Sequence, residues 1–237
     1  SPQNKKNNDY QTILNIKVKS CEGDFKVTRS FILNFSTIKE SKSTLELILF
    51  LSIINDYLEN KFQDLYIMDI FEKTIEYIKK NRLQTQKGKL SVKYKDGYLS
   101  PYMSSGNSGL IVELIRYSKT VESDKYESLI ADLSTILNVS YAKETGFASG
   151  LAGIGYANLN LFKYFNDYSY LFNTLEICKK LTLYNIYFEG DAYLCNPSLD
   201  NIAFDFFNGM TGQIFLLDQT SSQLQEVLKN ETIFKKV

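Results

Sequence analysis

Apolar residues recur with two periods along this chain, and each change of period marks the edge of an element. ILNIKVKS (Ile13 to Ser20) alternates apolar and polar as a short strand does, and Phe25 to Phe35 repeats the alternation. A polar stretch follows, and the Leu- and Ile-rich run from Thr44 to Leu58 predicts a buried helix with Ser43 or Thr44 as cap. From Asp64 to Asn81, Met68, Phe71, Ile75 and Ile78 share a helical face opposite Glu72, Lys73 and Lys79. Residues 85–100 read as a small hairpin turning at Lys95-Asp96-Gly97. Beyond them, short apolar helices (Leu110 to Tyr117, and the run ending near Phe165) alternate with amphipathic ones. The first amphipathic helix carries Tyr126, Ile130, Leu133 and Leu137 behind a Ser123 cap, and the second carries Leu171, Leu175 and Cys178. A polar loop with Gly190 and Pro197, the apolar stretch IFLL and a last helix from Ser221 to Lys235 complete the pattern.

Each short apolar helix opens on the same phrase: a small polar residue, Gly, two residues, Gly. The copies are SGNSGL (Gly106, Gly109), GFASGLAGIG (Gly150, Gly153) and NGMTGQ (Gly209, Gly212). A helix that is apolar all round must be covered on all sides, whereas an amphipathic one faces water. The alternation therefore predicts an all-α fold, an α/α toroid with apolar helices inside, amphipathic helices outside and minor hairpins. Residues 1–42 are read as a tail or linker with strand-like segments, and 43–237 as the helical repeats. The glycines allow sharp turns and close helix approach, and the turns gather inner-helix N-termini at one end, where unpaired N–H groups and positive dipole ends favour an anion.

Composition narrows the chemistry. The 27 basic and 27 acidic residues give no net pull toward nucleic acid, and no apolar run reaches the roughly 18 residues of a membrane span. Cys21, Cys178 and Cys195 are too scattered for a disulfide framework, which points to a reducing, cytoplasmic setting. The chain has no histidine, which removes the commonest general base and zinc ligand.

PYMSSGNSGL, GFASGLAGIGYANLNLF and DFFNGMTGQIFLL, with Asp205, Phe206 and Phe207 ahead of the last glycine pair, resemble the last three glycine repeats of the lanthionine synthetase C-like cyclases. The resemblance covers residues 95–220 well and the first 60 poorly. It implies an α/α toroid that adds a peptide cysteine thiol to a dehydrated serine or threonine, giving thioether (lanthionine or labionin) rings. Zinc-dependent members keep a Cys two residues before the glycine of one repeat and a Cys-His pair directly before that of the next. Here those positions are Ser104 and Ala148-Ser149. In this the chain is similar to the cyclase domains of three-part bacterial synthetases, which lack zinc ligands. That implies no metal or other cofactor, a dehydrated precursor peptide as substrate, and kinase and lyase domains as partners in the same synthetase. The helix pairs in view are fewer than a closed toroid needs, so the chain is expected to be the C-terminal part of a longer cyclase domain.

Ring closure needs a thiolate and a way to hold enolate-like charge, yet a free thiol with pKa near 8.5 is only a few per cent ionised at neutral pH. Without zinc, the inner-helix N-termini near Ser105, Ser149 and Asn208 are expected to serve, with Tyr102, Ser104, Ser105, Ser149 and Asn208 as donors around the mouth. Asp205 is either a base or a cap for the last inner helix. The abundant Tyr and Phe are expected to fill a core. A toroid that binds the peptide or a partner domain without chemistry is the alternative reading, and a carbohydrate enzyme a weaker third, for want of paired carboxylates.

Overall fold

The computed structural model of the protein describes residues 12–18, 27–33, 43–60, 64–93, 98–139, 141–142, 144–195 and 203–234. It divides into two compact units, Ser1–Asn81 and Arg82–Val237. The expected start of the tail, Cys21, the Lys95–Gly97 turn, Pro197 and Lys235 lie outside the described residues.

In the first unit β1 (Thr12–Val18) pairs antiparallel with β2 (Val27–Leu33), Asn15 opposite Ser30. Helix α1 (Thr44–Asn60) starts where Ser43 Oγ accepts the Glu46 N–H at 3.2 Å. It buries Leu47, Leu51, Ile54 and Leu58, while Leu45 and Leu49 are exposed, so the apolar run is covered along one side only. Asp64 caps α2 (Leu65–Asn81) by accepting from the Tyr66 and Ile67 N–H groups. Ile67, Ile70, Phe71, Ile75 and Ile78 form its buried face, against which α1 packs. Its outer side carries the exposed pairs Lys73–Asp69 and Lys79–Glu76, each worth a few tenths of a kcal/mol at ~0.3.

The second unit opens with a hairpin, β3 (Leu83–Gln86) and β4 (Lys89–Val92), joined by Lys87 and Gly88, both at positive φ as a two-residue turn requires. Among the described residues five helices follow: α3 (Asn107–Thr120), α4 (Glu127–Ser134), α5 (Leu151–Phe165), α6 (Tyr168–Thr182) and α7 (Met210–Phe234). Helices α3, α5 and α7 pack side by side as an inner layer, with α4 on α3, and α6 on α5 and α7. The burial matches the expected alternation. Most residues of α3 and α5 are buried, whereas α4 buries Ile130 and Leu133, and α6 buries Leu171, Ile177, Cys178 and Leu181. Leu159 and Phe162 of α5 meet Leu171 of α6 in a core that Leu224 and Val227 of α7 complete.

Three local expectations are corrected. Ser123 does not cap a helix: its Oγ accepts from Lys125 N–H, a turn follows, and α4 begins at Glu127. The segment around Gly190 is a second hairpin, β5 (Asn185–Phe188) and β6 (Asp191–Leu194), turning at Glu189-Gly190 with both residues at positive φ. The last helix does not start at Ser221, because α7 runs unbroken through it. The Thr220 hydroxyl donates back to the Leu216 carbonyl at 2.8 Å instead of capping, and no Gly or Pro lies between Gln213 and Phe234.

Candidate functional site

The three glycine turns are built alike, and their backbone explains the spacing of the motif. In each, the first N–H of the following helix donates to a carbonyl at the start of the turn: Asn107 to Ser100 at 2.8 Å, Leu151 to Glu144 at 3.0 Å, Met210 to Ala203 at 2.6 Å. The second N–H does the same from Ser108 to Pro101 (3.3 Å) and from Ala152 to Thr145 (3.1 Å), while in the third turn the Thr211 hydroxyl reaches the Phe204 carbonyl. This folds the chain so tightly that the first glycine has no room for a side chain. A Cβ on Gly150 would stand 2.6 Å from the Glu144 carbonyl oxygen, and Gly106 and Gly209 face Ser100 and Ala203 in the same way. Gly106 and Gly150 are extended, at φ −146 and −139, so glycine serves here for space rather than for a left-handed backbone. The second glycine seats one repeat on the previous one, Gly153 against Met103 and Gly212 against Phe147.

Backbone bonds also link turn to turn. Ser104 N–H donates to the Ala148 carbonyl at 2.9 Å, and Ala148 N–H to the Phe207 carbonyl at 2.7 Å. Ser104, Ala148 and Phe207 occupy the same place in their turns, so the bonds form a collar across the ends of α3, α5 and α7. On it Ser104 Oγ lies 3.2 Å from Ser149 Oγ, both side chains half-buried. Behind it Phe147, Tyr156, Phe206 and Phe215 pack ring against ring, with centroids 4.8 to 5.9 Å apart. Phe207 touches Phe206 edge-on and is itself exposed.

Of the residues expected at the mouth, Ser104 and Ser149 meet directly. Tyr102 and Ser105 are half-buried in the first turn, and Asp205 and Asn208 are exposed in the third. The collar corrects the expectation of unpaired N–H groups at these helix starts, since turn carbonyls already take the first two of α3 and α5. The Asp205 carboxylate accepts the Asn208 N–H at 2.7 Å, and its carbonyl accepts the Gly209 N–H, so it holds the turn ahead of α7 rather than capping the helix itself. Because an amide oxygen can also accept that bond, Asp205→Asn is expected to keep a melting temperature near that of the wild type. Asp205→Ala should lose about 1 kcal/mol in a denaturant titration.

Residues that the motif does not reveal hold the turns from behind. Asn107, fully buried, accepts the Val92 N–H and donates to the Leu90 and Leu133 carbonyls. Thr145 donates to the Cys195 carbonyl and accepts from Gln213, tying the second turn to α7. Cys178 and Cys195 are buried, and burial pushes both thiols up. Near neutral pH both are expected to resist iodoacetamide in the native protein and to react on unfolding, as peptide mapping by mass spectrometry would show.

Two hydroxyls bonded to each other beside the Ala148 methyl offer neither thiolate nor imidazole, so the collar does not fit zinc. Among the described residues no group of three His, Cys, Asp or Glu is placed to hold a metal ion. No helix there is long and apolar enough to cross a membrane. A family model described as lanthionine synthetase C-like protein matches residues 48–231. No curated protein matches the chain.

Proposed function

Since the chain belongs to the lanthionine synthetase C-like family, we propose that it closes thioether rings in a dehydrated precursor peptide, adding a cysteine thiol across the double bond of a dehydrated serine or threonine, and that it does so without zinc. The observation that carries this reading is the Ser104–Ser149 contact on the collar, at the positions that correspond to the ligands of the zinc-dependent relatives. The net change is addition of S–H across a carbon–carbon double bond, with no leaving group and no change of cofactor. What the chain has to supply is a mouth that holds the peptide and donors for the charge that develops. In this reading the half-buried Tyr102 and Ser105 and the exposed Asn208 line that mouth, and the aromatic cluster behind Phe147 keeps it rigid. A cytoplasmic setting, with kinase and lyase domains of the same synthetase providing the dehydrated peptide, completes the proposal.

The alternative, a family member that binds the peptide or a partner domain without chemistry, is favoured by one observation: Asp205 is engaged in its own turn. The experiment that decides is incubation with a peptide carrying a preformed dehydroalanine and a cysteine. Loss of alkylatable peptide thiol, read by mass spectrometry, is expected to be faster with protein than without and unchanged by a chelator. Equal rates with and without protein would leave the binding reading standing, and a chelator-sensitive rate would remove the zinc-free one.

A further inference from the structure

We propose that Ser104 and Ser149 act as one hydroxyl donor that binds the carbonyl oxygen of the dehydroamino acid while the thiol adds to it, an assignment that rests on the ring-closing reading above. The argument is a count of protons. Two hydroxyls carry two protons, and the 3.2 Å contact uses one of them between the oxygens. The other is left for an outside acceptor, and the hydroxyl that carries it is strengthened as a donor by the bond it receives. The N–H groups of Asn107, Ser108, Leu151 and Ala152 are already spent on turn carbonyls, as is the Ser108 hydroxyl. The pair is also held in place, since Ser104 N–H binds the Ala148 carbonyl and Ala148 N–H binds that of Phe207, so little reorganisation is needed when charge appears.

In the step itself the thiol first loses its proton to water. Sulfur forms its bond to Cβ, the π electrons move toward the carbonyl oxygen, and that oxygen is held by the serine hydroxyl without proton transfer. Cα then takes a proton from water, and nothing is oxidised or reduced. A neutral hydroxyl suits an oxyanion better than a diffuse thiolate, so the pair is assigned to the carbonyl and not to the sulfur.

The test uses the whole chain and the preformed dehydroalanine peptide, with thermal melts run alongside. Each single variant, Ser104→Ala or Ser149→Ala, keeps one hydroxyl and should lose less than about 10-fold in kcat. The double variant should lose about 100-fold or more with KM little changed. The apparent thiol pKa in the pH–rate profile should stay where it is in the wild type. If the double alanine variant fails to melt cooperatively, Ser104→Ala/Ser149→Thr and Ser104→Ala/Ser149→Val decide, because they have the same shape and only threonine should retain the rate. A double variant within about threefold of wild type, or a valine variant as fast as the threonine one, overturns the hydroxyl pair and leaves ring closure intact. A shifted thiol pKa overturns the carbonyl assignment. Wild-type protein no faster than the peptide alone overturns the ring-closing reading and the pair with it.

Discussion

Gly153→Ala is expected to destabilise the protein by about 3 kcal/mol or more, whereas Gly155→Ala, on the same helix, should stay within about 1 kcal/mol of wild type. Both changes remove an entropically costly glycine from α5, worth about 1 kcal/mol in favour of alanine. What separates them is what the new methyl meets. At Gly153 it runs into the Phe147 carbonyl, with Met103 Cβ 2.8 Å away, and backbone on the tightly bonded collar cannot retreat without breaking the bonds between turns. At Gly155 the nearest atom is Leu216 Cδ2, the end of a buried side chain that yields more readily than backbone, followed by Ile177 Cγ2 at 3.1 Å. Urea titrations of the two variants give the comparison directly. Equal midpoints would mean that the collar is more pliable than its hydrogen bonds imply.

The second large effect is expected at Asn107. Its side chain satisfies one backbone N–H at 2.8 Å and two carbonyls at 3.0 and 2.7 Å, with none of it exposed. Asn107→Ala would strand the Val92 N–H and the Leu90 and Leu133 carbonyls away from water, a loss of about 4 kcal/mol at 1–3 kcal/mol for each orphaned group. Asn107→Asp should be worse at neutral pH, since it keeps the Val92 bond but sets an anion against two carbonyl oxygens. Burial would raise the folded-state pKa of that carboxyl above its unfolded value near ~4. The folded state then binds the proton more tightly, so stability rises as pH falls through the raised pKa and stops rising below the unfolded one. Thermal melts of the Asp variant across the acid range are expected to show this recovery. A flat profile would contradict the clamp.

Much of the second unit was legible in advance because burial leaves a periodic trace. The glycine pairs before α3, α5 and α7 are kept, and the apolar-then-amphipathic order, which follows from which faces must be covered, holds for α3–α4 and α5–α6, whereas α7 runs through both parts of the third pair. The β5–β6 hairpin leaves no periodic trace, although Glu189-Gly190 carries the same residue-then-glycine turn as Lys87-Gly88, because strands of four residues, Asn185–Phe188 and Asp191–Leu194, are too short to show an alternation. The break expected at Ser221 failed for a different reason. A serine favours a cap only where the chain leaves the helix, and here the run of Leu224 and Val227 against α5 and α6 holds the chain helical.

The amino-acid sequence alone determined the class of the protein: helices in two layers, turns that admit only glycine, and a family position without histidine. These are local or periodic properties, set by side-chain size and by which residues water rejects. The tertiary structure decided which groups meet. Ser104 and Ser149 are separated along the chain by a whole helix pair, and the Asn107 clamp joins residues from three elements. Whether a helix N–H is unpaired depends likewise on where the preceding carbonyls fold back. Such contacts depend on the packing of complete elements, so no window of sequence contains them.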